Sequence, residues 1–269
     1  MDRERLIAEG EKKKNIPGIY NYCDRWCERC PFSARCLSYA LEKEDADDPD
    51  ERNMSNQKFW EKLSETFKMT RELIKKAAEE QGMDLEELEQ ASSDDLHEKS
   101  HQFAENHPVA RAARKYSKMT SVWFKEVDHL FSIDYNNKGN SLHILPTNAF
   151  KEADFQEVEN AVSVIRWYQF QVSVKLMRAL NGLVMEAEED MLWVDHQKDS
   201  DGSAKVSLLG IDHSINGWGT LLKNFPSEEN TILDMLVHLE RLRNDIEREF
   251  PNARSFKRPG FDDESYGLN

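Results

Sequence analysis

Apolar side chains recur every three to four residues between positions 154 and 190, over a length of about ten helical turns. They cover one broad sector of a helix: Val162, Ile165, Val172, Leu176, Leu180 and Leu183. A helix that is apolar over so wide a sector is normally buried among other elements. We therefore predict a central helix here, packed on several sides.

Similar patterns predict further helices at residues 55–81, 108–131, 203–225 and 227–250, and another from about residue 84. Residues 132–150 contain several Asn, Gly and Pro residues and predict a loop. Only Pro226 separates the last two helices, and so short a connection makes consecutive helices antiparallel neighbours. The sequence thus predicts an all-α protein built around an antiparallel multi-helix bundle.

Charge and hydropathy argue against several classes of function. The chain carries 51 acidic and 36 basic side chains, a formal net charge of -15, so phosphate backbones would repel it and nucleic-acid binding is not expected. Its apolar runs are shorter than a membrane span, and residues 1–14 are charged where a secretion signal would be apolar. These features predict a cytoplasmic protein that does not enter a membrane.

All four cysteines fall in one segment, YCDRWCERCPFSARCL, in which Cys23, Cys27, Cys30 and Cys36 follow a C-x3-C-x2-C-x5-C spacing. Thiols this close together in sequence can converge on one centre. Disulfides are the alternative, but they are uncommon in the reducing compartment that the sequence predicts. The segment is therefore interpreted as a small metal-binding module, with the four cysteines as ligands.

Thiolate sets of this kind bind either an iron–sulfur cluster or zinc. Structural zinc sites usually combine two C-x2-C pairs across a longer loop, whereas only Cys27 and Cys30 form such a pair here. Short unequal gaps and a proline after a cysteine, as in Cys30-Pro31, are typical of iron–sulfur ligation. The sequence favours a [4Fe–4S] cluster, with zinc as the alternative.

Basic and aromatic residues are interleaved with the thiols. Arg25, Arg29 and Arg35 are candidates to offset the charge of four thiolates. Aromatic side chains are candidates to shield a metal from water: Tyr20, Tyr22, Trp26 and Phe32. Surface arginines and ordinary packing aromatics are the simpler interpretation of the same residues.

The cysteine segment resembles known motifs over short stretches. The piece CERCPFSARC resembles the iron–sulfur clasp of RecB-family nucleases, which implies Cys27, Cys30 and Cys36 as a ligand triplet and Cys23 as the fourth ligand of a four-iron cluster. The strand-rich acidic nuclease core of that family has no counterpart in the sequence, so the activity is not implied. The C-x3-C-x2-C spacing is similar to the cluster motif of radical S-adenosylmethionine enzymes, whose parallel barrel is also missing. The wider stretch IPGIYNYCDRWCERCPF resembles the N-terminal segment of an uncharacterised bacterial protein family, which implies no activity.

These patterns divide the chain into a four-cysteine metal-binding module at 1–44, an acidic linker at 45–54, a helical bundle at 55–250 and an extended or disordered tail at 251–269. Residues 1–36 carry 8 basic and 6 acidic side chains, whereas residues 37–99 carry 9 basic and 19 acidic ones. The mildly basic cysteine segment predicts a protein partner and favours an acidic one. The predicted function is metal-dependent interaction, regulation or electron transfer, with a non-enzymatic role favoured.

An enzyme is the alternative. Glu126 and His129 form one Glu-x-x-His pair, which is half of the ligand set of a dinuclear metalloenzyme in a helical bundle. Gly210, Gly217 and Gly219 match no phosphate-binding pattern and predict close approach of a neighbouring helix instead.

Basic residues on the central helix offer another alternative. A cleft for an anionic ligand, with Arg166, Lys175 and Arg178 as its binding residues, is one interpretation. A structural ion pair is favoured for Arg166, because a buried guanidinium requires a carboxylate. The carboxylates proposed for it are those of Glu126, Asp212 and Glu240.

Overall fold

The computed structural model describes residues 3–10, 12–44, 57–80, 82, 94–127, 131–133, 142–144, 152–189 and 197–262. The α-helices within these ranges are α1 Arg3–Gly10, α2 Leu37–Glu44, α3 Gln57–Glu80, α4 Asp94–Asn106, α5 Pro108–Glu126, α6 Glu152–Glu189, α7 Asp199–Asn224 and α8 Glu229–Glu249. The strands are β1 Phe131–Ile133 and β2 Leu142–Ile144. The chain is mostly helical, as predicted from the apolar periodicity.

The main helix boundaries follow the sequence closely, and one departure has a clear cause. The helix predicted to begin at residue 203 is α7, which begins four residues earlier at Asp199. The Ser200 amide donates to the Glu186 carboxylate at 2.8 Å, and the Ser200 hydroxyl donates to the same carboxylate at 2.7 Å. An acidic side chain at a helix N-terminus satisfies an otherwise unbonded amide and complements the helix dipole. Because Glu186 lies on α6, this cap is not visible in the sequence of α7 itself.

Two short strands lie where the sequence predicted a helix end and a loop. Helix α5, predicted to run to residue 131, ends at Glu126, and Phe131 begins β1. Strands β1 and β2 pair antiparallel, with Phe131 opposite Ile144 and Ile133 opposite Leu142. The sequences Phe-Ser-Ile and Leu-His-Ile alternate apolar and polar residues on either side of an Asn-rich stretch, which is a hairpin signal. The loop prediction rests on the Asn, Gly and Pro residues and does not use this flanking alternation.

The chain divides into two compact units, Met1–Glu98 with Arg258–Asn269, and Lys99–Lys257. This division differs from the sequence prediction at both ends of the bundle, because α3 belongs to the first unit and so does the C-terminal stretch. The predicted acidic linker at 45–54 lies outside the described residues. None of the helices in the described part of the chain is both long enough and apolar enough to cross a membrane.

The second unit is built on four helices, in which α5 and α7 each pack against both α6 and α8. The buried rings of Trp123 and Trp218 meet edge to face with centroids 4.9 Å apart. The Trp218 indole nitrogen donates to the hydroxyl of buried Tyr116 at 3.1 Å, so its polar atom is satisfied inside the core. This unit therefore has an extensive apolar core of its own.

Helices α6 and α7 approach each other closely at two glycines of α7. A Cβ atom on Gly210 would lie 2.9 Å from Tyr168 Cδ1, and one on Gly217 would lie 3.0 Å from Ile165 Cγ1. As the chain advances along α7 the contacts move back along α6, so the helices are antiparallel. The predicted role in close approach is confirmed for Gly210 and Gly217, whereas nothing lies within 4 Å of a Cβ on Gly219.

Replacing Gly217 with valine is expected to lower the free energy of unfolding by about 3 kcal/mol, because the added side chain overpacks the core. The new Cβ would lie 3.2 Å from the Ala161 carbonyl oxygen, a backbone atom that cannot rotate away. Gly219→Ala on the same helix is the matched control, and it should gain about 1 kcal/mol from helix propensity. Urea unfolding followed by circular dichroism measures both, and equal effects at the two positions would contradict the close approach.

Candidate functional site

Three short 3-10 helices carry the cysteine segment: Ile19–Tyr22, Cys27–Arg29 and Ser33–Arg35. Cys23, Cys30 and Cys36 each directly follow one of them, and Cys27 begins the second. The last two turns close through backbone bonds, from the Cys30 amide to the Cys27 carbonyl at 3.2 Å and from the Cys36 amide to the Ser33 carbonyl at 3.3 Å. These turns hold Cys27 and Cys30 close together in space, and they place Cys36 directly after the third.

Arg25, between the first two cysteines, has an unusual backbone. Its φ is 60°, in a left-handed region that residues other than glycine seldom occupy. Its guanidinium donates to the hydroxyl of Ser38 and pairs with the Glu42 carboxylate at 3.4 Å, both on α2. These contacts hold this stretch of the cysteine segment against α2.

A small apolar core supports the cysteine segment. Ile16, Ile19 and Phe32 are buried together at its centre. The partly buried side chains packed against this core are those of Cys30, Cys36 and Phe261. Two of the four cysteines are thus held by apolar packing.

The described part of the predicted extended or disordered tail, residues 251–262, is folded: residues 258–262 belong to this unit, and residues 251–257 belong to the second unit and include the 3-10 helix Ala253–Ser255. The Phe261 ring meets the Phe32 ring edge to face, with centroids 5.2 Å apart. Gly260 has φ 77°, and a Cβ atom there would lie 2.9 Å from Ile19 Cδ1. Proline, glycine and acidic residues suggested disorder, but burial of the aromatic side chain stabilises the stretch. Residues 263–269 lie outside the described part.

The C-terminal stretch is also held by a local ion pair. The Arg258 guanidinium meets the Asp262 carboxylate at 2.9 Å and lies 4.7 Å from the centre of the Phe261 ring. Both Arg258 and Asp262 are largely shielded, with 16% and 24% of their side chains exposed. The pair closes one turn of chain around Phe261 and fixes where its ring points.

All four cysteines line one pocket of this unit. None of the four is in a disulfide. The rest of the wall includes Arg25, Ser33 and four aromatic side chains, those of Tyr20, Trp26, Tyr39 and Phe261. The structure therefore brings together the four residues predicted as ligands.

Sharing a pocket is not yet a coordination geometry. Within the described part of the chain, no group of three or more His, Cys, Asp and Glu side chains is arranged to hold a metal ion as it stands. A cysteine sulfur moves between staggered positions by rotation about one side-chain bond. Metal binding would therefore require the thiols to turn toward a common centre inside the pocket.

Two of the thiols, those of Cys27 and Cys30, resist ionisation. Burial raises the pKa of the Cys27 thiol from 9.0 to about 11, with smaller contributions from the Glu42 carboxylate and from the three other thiols. Burial also raises the pKa of Cys30, partly offset by a hydrogen bond from the Phe32 amide. Nucleophilic and redox-catalytic cysteines have lowered pKa values. The raised values instead suit thiols that lose their protons when a metal binds.

In the metal-free protein, iodoacetamide should alkylate Cys27 about tenfold more slowly at neutral pH than in the denatured chain. A rise of two pKa units lowers the thiolate fraction about a hundredfold, and the greater nucleophilicity of a more basic thiolate recovers about tenfold. The difference in alkylation rate between the folded protein and the denatured chain should narrow as pH rises from 9.0 to about 11. The folded unit loses stability over the same range, because the denatured chain releases this proton first. Mass spectrometry of timed samples measures the rate, and faster alkylation in the folded protein would indicate a catalytic thiolate instead.

The three arginines of the segment take different positions. Arg25 lines the pocket. The guanidinium of Arg29 lies 3.9 Å from the centre of the Trp26 ring, itself part of the pocket wall. Arg35 donates through Nε to the Lys14 carbonyl at 3.1 Å, which ties the segment to the chain before it. Arg25 and Arg29 are therefore near the thiols, and Arg35 has a structural contact.

The basic residues of the predicted anionic cleft are spread along α6. Arg166 and Arg178 lie twelve residues apart, which is about 18 Å along a helix. The Arg166 guanidinium lies 4.4 Å from the centre of the Phe124 ring. Arg178 pairs with the Asp199 carboxylate at 2.6 Å, and Lys175 is buried. The three residues do not converge on a single point.

The carboxylates proposed for Arg166 have other contacts. Asp212 accepts from Arg254 at 2.6 Å and from Arg243 at 3.2 Å. Glu240 also meets Arg243, at 2.5 Å. The glutamate of the predicted dinuclear site, Glu126, is exposed at the end of α5, and His129 lies outside the described residues. An interior dinuclear site needs its carboxylates to face the bundle core, and Glu126 does not.

Sequence reasoning missed the C-terminal part of the site. Phe261 completes the pocket from the C-terminal stretch, and Tyr39 of α2 adds to its wall. Gly260 lies beside Ile16 and Ile19, in the apolar core that supports the segment. The Pro-Gly pair before an aromatic residue is a turn signal that marks a folded segment as readily as a free tail.

Comparisons of the chain with protein-family models, curated proteins and solved structures found no match.

Proposed function

We propose that the first unit binds a metal centre through Cys23, Cys27, Cys30 and Cys36, and that this centre is a [4Fe–4S] cluster. The observation that carries the proposal is the single pocket lined by all four cysteines. Four thiolates are a complete ligand set for such a cluster. Zinc is the alternative, because four thiolates also complete a structural zinc site.

The spacing of the cysteines supports the cluster over zinc. Structural zinc sites usually combine two C-x2-C pairs across a longer loop, and only Cys27 and Cys30 form such a pair here. Short unequal gaps and the proline after Cys30 are typical of iron–sulfur ligation, in which each thiolate binds a different iron.

The chain's own residues would hold the cluster and set its surroundings. Arg25 lies in the pocket wall and Arg29 lies on Trp26, so both can offset the negative charge of four thiolates. The aromatic wall, with Phe261 closing it, would keep water from the sulfurs and so tune the reduction potential. A bound cluster supplies one-electron chemistry.

The proposed role is electron transfer, regulation or metal-dependent interaction with a protein partner. The four ligands leave no open coordination position for a substrate, which disfavours an enzyme. The exposed side chains around the segment include Lys12, Lys13, Lys14, Arg25 and Arg29. A partner with an acidic docking surface would be attracted to this mildly basic region.

Anaerobic purification followed by iron, sulfide and zinc analysis tests the proposal. We expect about four irons and four sulfides per chain, with a broad visible absorption that bleaches reversibly on reduction by dithionite. Stoichiometric zinc without iron or sulfide would establish the alternative. A chain that takes up neither metal on reconstitution would overturn the proposal.

A further inference from the structure

Helix α3 carries a row of large apolar side chains on its surface. The exposed fractions are 55% for Trp60, 65% for Phe67 and 53% for Ile74. These residues are seven apart, so they lie along one line of the helix. Of the described side chains of α3, only Ala78 is buried. Exposed apolar rows of this kind mark interaction surfaces.

The exposed row occupies the a positions of a heptad repeat, in which the a and d positions alternate at spacings of three and four residues. Together the a and d positions form a seam along the helix: Trp60, Leu63, Phe67, Thr70, Ile74 and Ala77. Such a seam fits a second helix with the same repeat. Its large rings lie in the N-terminal half and its smallest side chains in the C-terminal half.

We propose that α3 pairs with α3 of a second copy of this chain as an antiparallel coiled coil. Antiparallel pairing matches a positions with d positions, and centring the seam between Phe67 and Thr70 places these two opposite each other. Trp60 then lies opposite Ala77 of the second copy, and Leu63 lies opposite Ile74. Large side chains meet small ones at both ends of the seam, which gives close packing without overlap.

A concave site on α3 fits this register. It is lined by Trp60, Leu63, Ser64 and Phe67, at positions i, i+3, i+4 and i+7, with Lys68 and Arg71 at its rim. Four residues with this spacing form the hole that receives one side chain of a partner helix in a coiled coil. In the antiparallel register the side chain above the centre of this hole is Ile74 of the second copy.

The parallel arrangement fits less well. It would place Trp60 against its own counterpart and Phe67 against its own, while Ala77 would face Ala77 across a gap. The residues flanking the antiparallel seam include only two charges, Arg71 and Glu80. In that register Arg71 faces Ser64 of the second copy and Glu80 faces Phe59, so like charges do not meet.

The length of α3 sets the strength of the pairing. Its 24 residues span about 36 Å, which allows a single seam of three heptads. An interface of this extent lies at the lower end of specific protein–protein contacts. We therefore expect a reversible dimer with a dissociation constant in the micromolar range.

Sedimentation of the full chain over a concentration series tests the proposal. A monomer–dimer equilibrium is expected, and Phe67→Glu should weaken it about a hundredfold or more, because a central aromatic anchor is replaced by a charge. Phe170→Glu is the matched control, since Phe170 is 56% exposed on α6, and it should leave the equilibrium unchanged. A chain that stays monomeric at its highest soluble concentration, or a dimer indifferent to Phe67→Glu, overturns the proposal.

A size exchange tests the register independently of helix folding. Trp60→Ala leaves a cavity opposite Ala77, and Ala77→Trp overfills the contact with Trp60, so each alone should weaken the dimer about tenfold or more. The double variant restores a large side chain opposite a small one and should recover most of the affinity. Single variants that weaken the dimer without recovery in the double variant would rule out the antiparallel register.

Discussion

Replacing any one of Cys23, Cys27, Cys30 and Cys36 with serine is expected to lower the iron content of the anaerobically purified protein to well below one atom per chain. All four thiols line the same pocket, and a four-iron cluster needs a ligand for each iron. A serine hydroxyl ionises far less readily than a thiol and is a poor ligand for iron. Iron and sulfide analysis with the visible spectrum measures the loss.

Ser33→Ala is the control for this series, because Ser33 lines the same pocket and carries no thiol. It should retain the cluster. The thermal unfolding of the second unit should be the same in all these variants, since its core is built from α5 to α8. Full metal content in one cysteine variant would remove that residue from the ligand set. Full content in all four would end the proposal of a cysteine-bound centre.

Gly260→Val is expected to open the cysteine pocket and to make the thiols of the metal-free protein react at least about tenfold faster with a disulfide reagent. A left-handed backbone costs a β-branched residue about 1–2 kcal/mol, and overpacking adds about 1–3 kcal/mol. The φ of Gly260 is 77°, and its Cβ would meet Ile19 Cδ1 at 2.9 Å and Ile16 Cδ1 at 3.1 Å. Displacing residue 260 moves Phe261 away from Phe32 and exposes the wall that it forms. Stopped-flow absorbance with Ellman's reagent measures the rate.

Gly82→Val separates the effect of backbone strain from the effect of the steric clash. Gly82 has a similar φ of 69°, but nothing lies within 4 Å of a Cβ there. The substitution therefore adds backbone strain without a clash at the apolar core, and thiol reactivity should stay as in the unmodified protein. If both variants react at the unmodified rate, the C-terminal stretch does not close the pocket.

The helices that form the second unit could be predicted closely because their signal is local. The pattern between residues 154 and 190 predicted what is α6, Glu152–Glu189, since a 3.6-residue repeat of apolar side chains needs no knowledge of the partner. The same reasoning placed Gly210 and Gly217 at a close contact. The prediction was wrong for Gly219, because the sequence of one helix does not show which of its faces another helix contacts.

The apolar stripe on α3 shows where such reasoning stops. The sequence predicts an amphipathic helix correctly, Gln57–Glu80, but the pattern is the same whether the stripe lies in a core or on a surface. Trp60 and Phe67 are exposed, and α3 lies in the first compact unit rather than with the helices of the second. Whether a stripe is buried depends on how the helix is arranged relative to other elements. The periodicity of one helix carries no information about that arrangement.

By itself the sequence determined the helical class of the protein and the identity of the four clustered thiols, because both depend on residues close together in the chain. Only the tertiary structure decided that all four thiols line one pocket, and that Phe261, more than 200 residues further along the chain, helps to form it. The contact between Phe32 and Phe261 leaves no periodic trace, because it is stabilised by burial of two rings distant in sequence. Such contacts depend on the path of the whole chain, which no local pattern encodes.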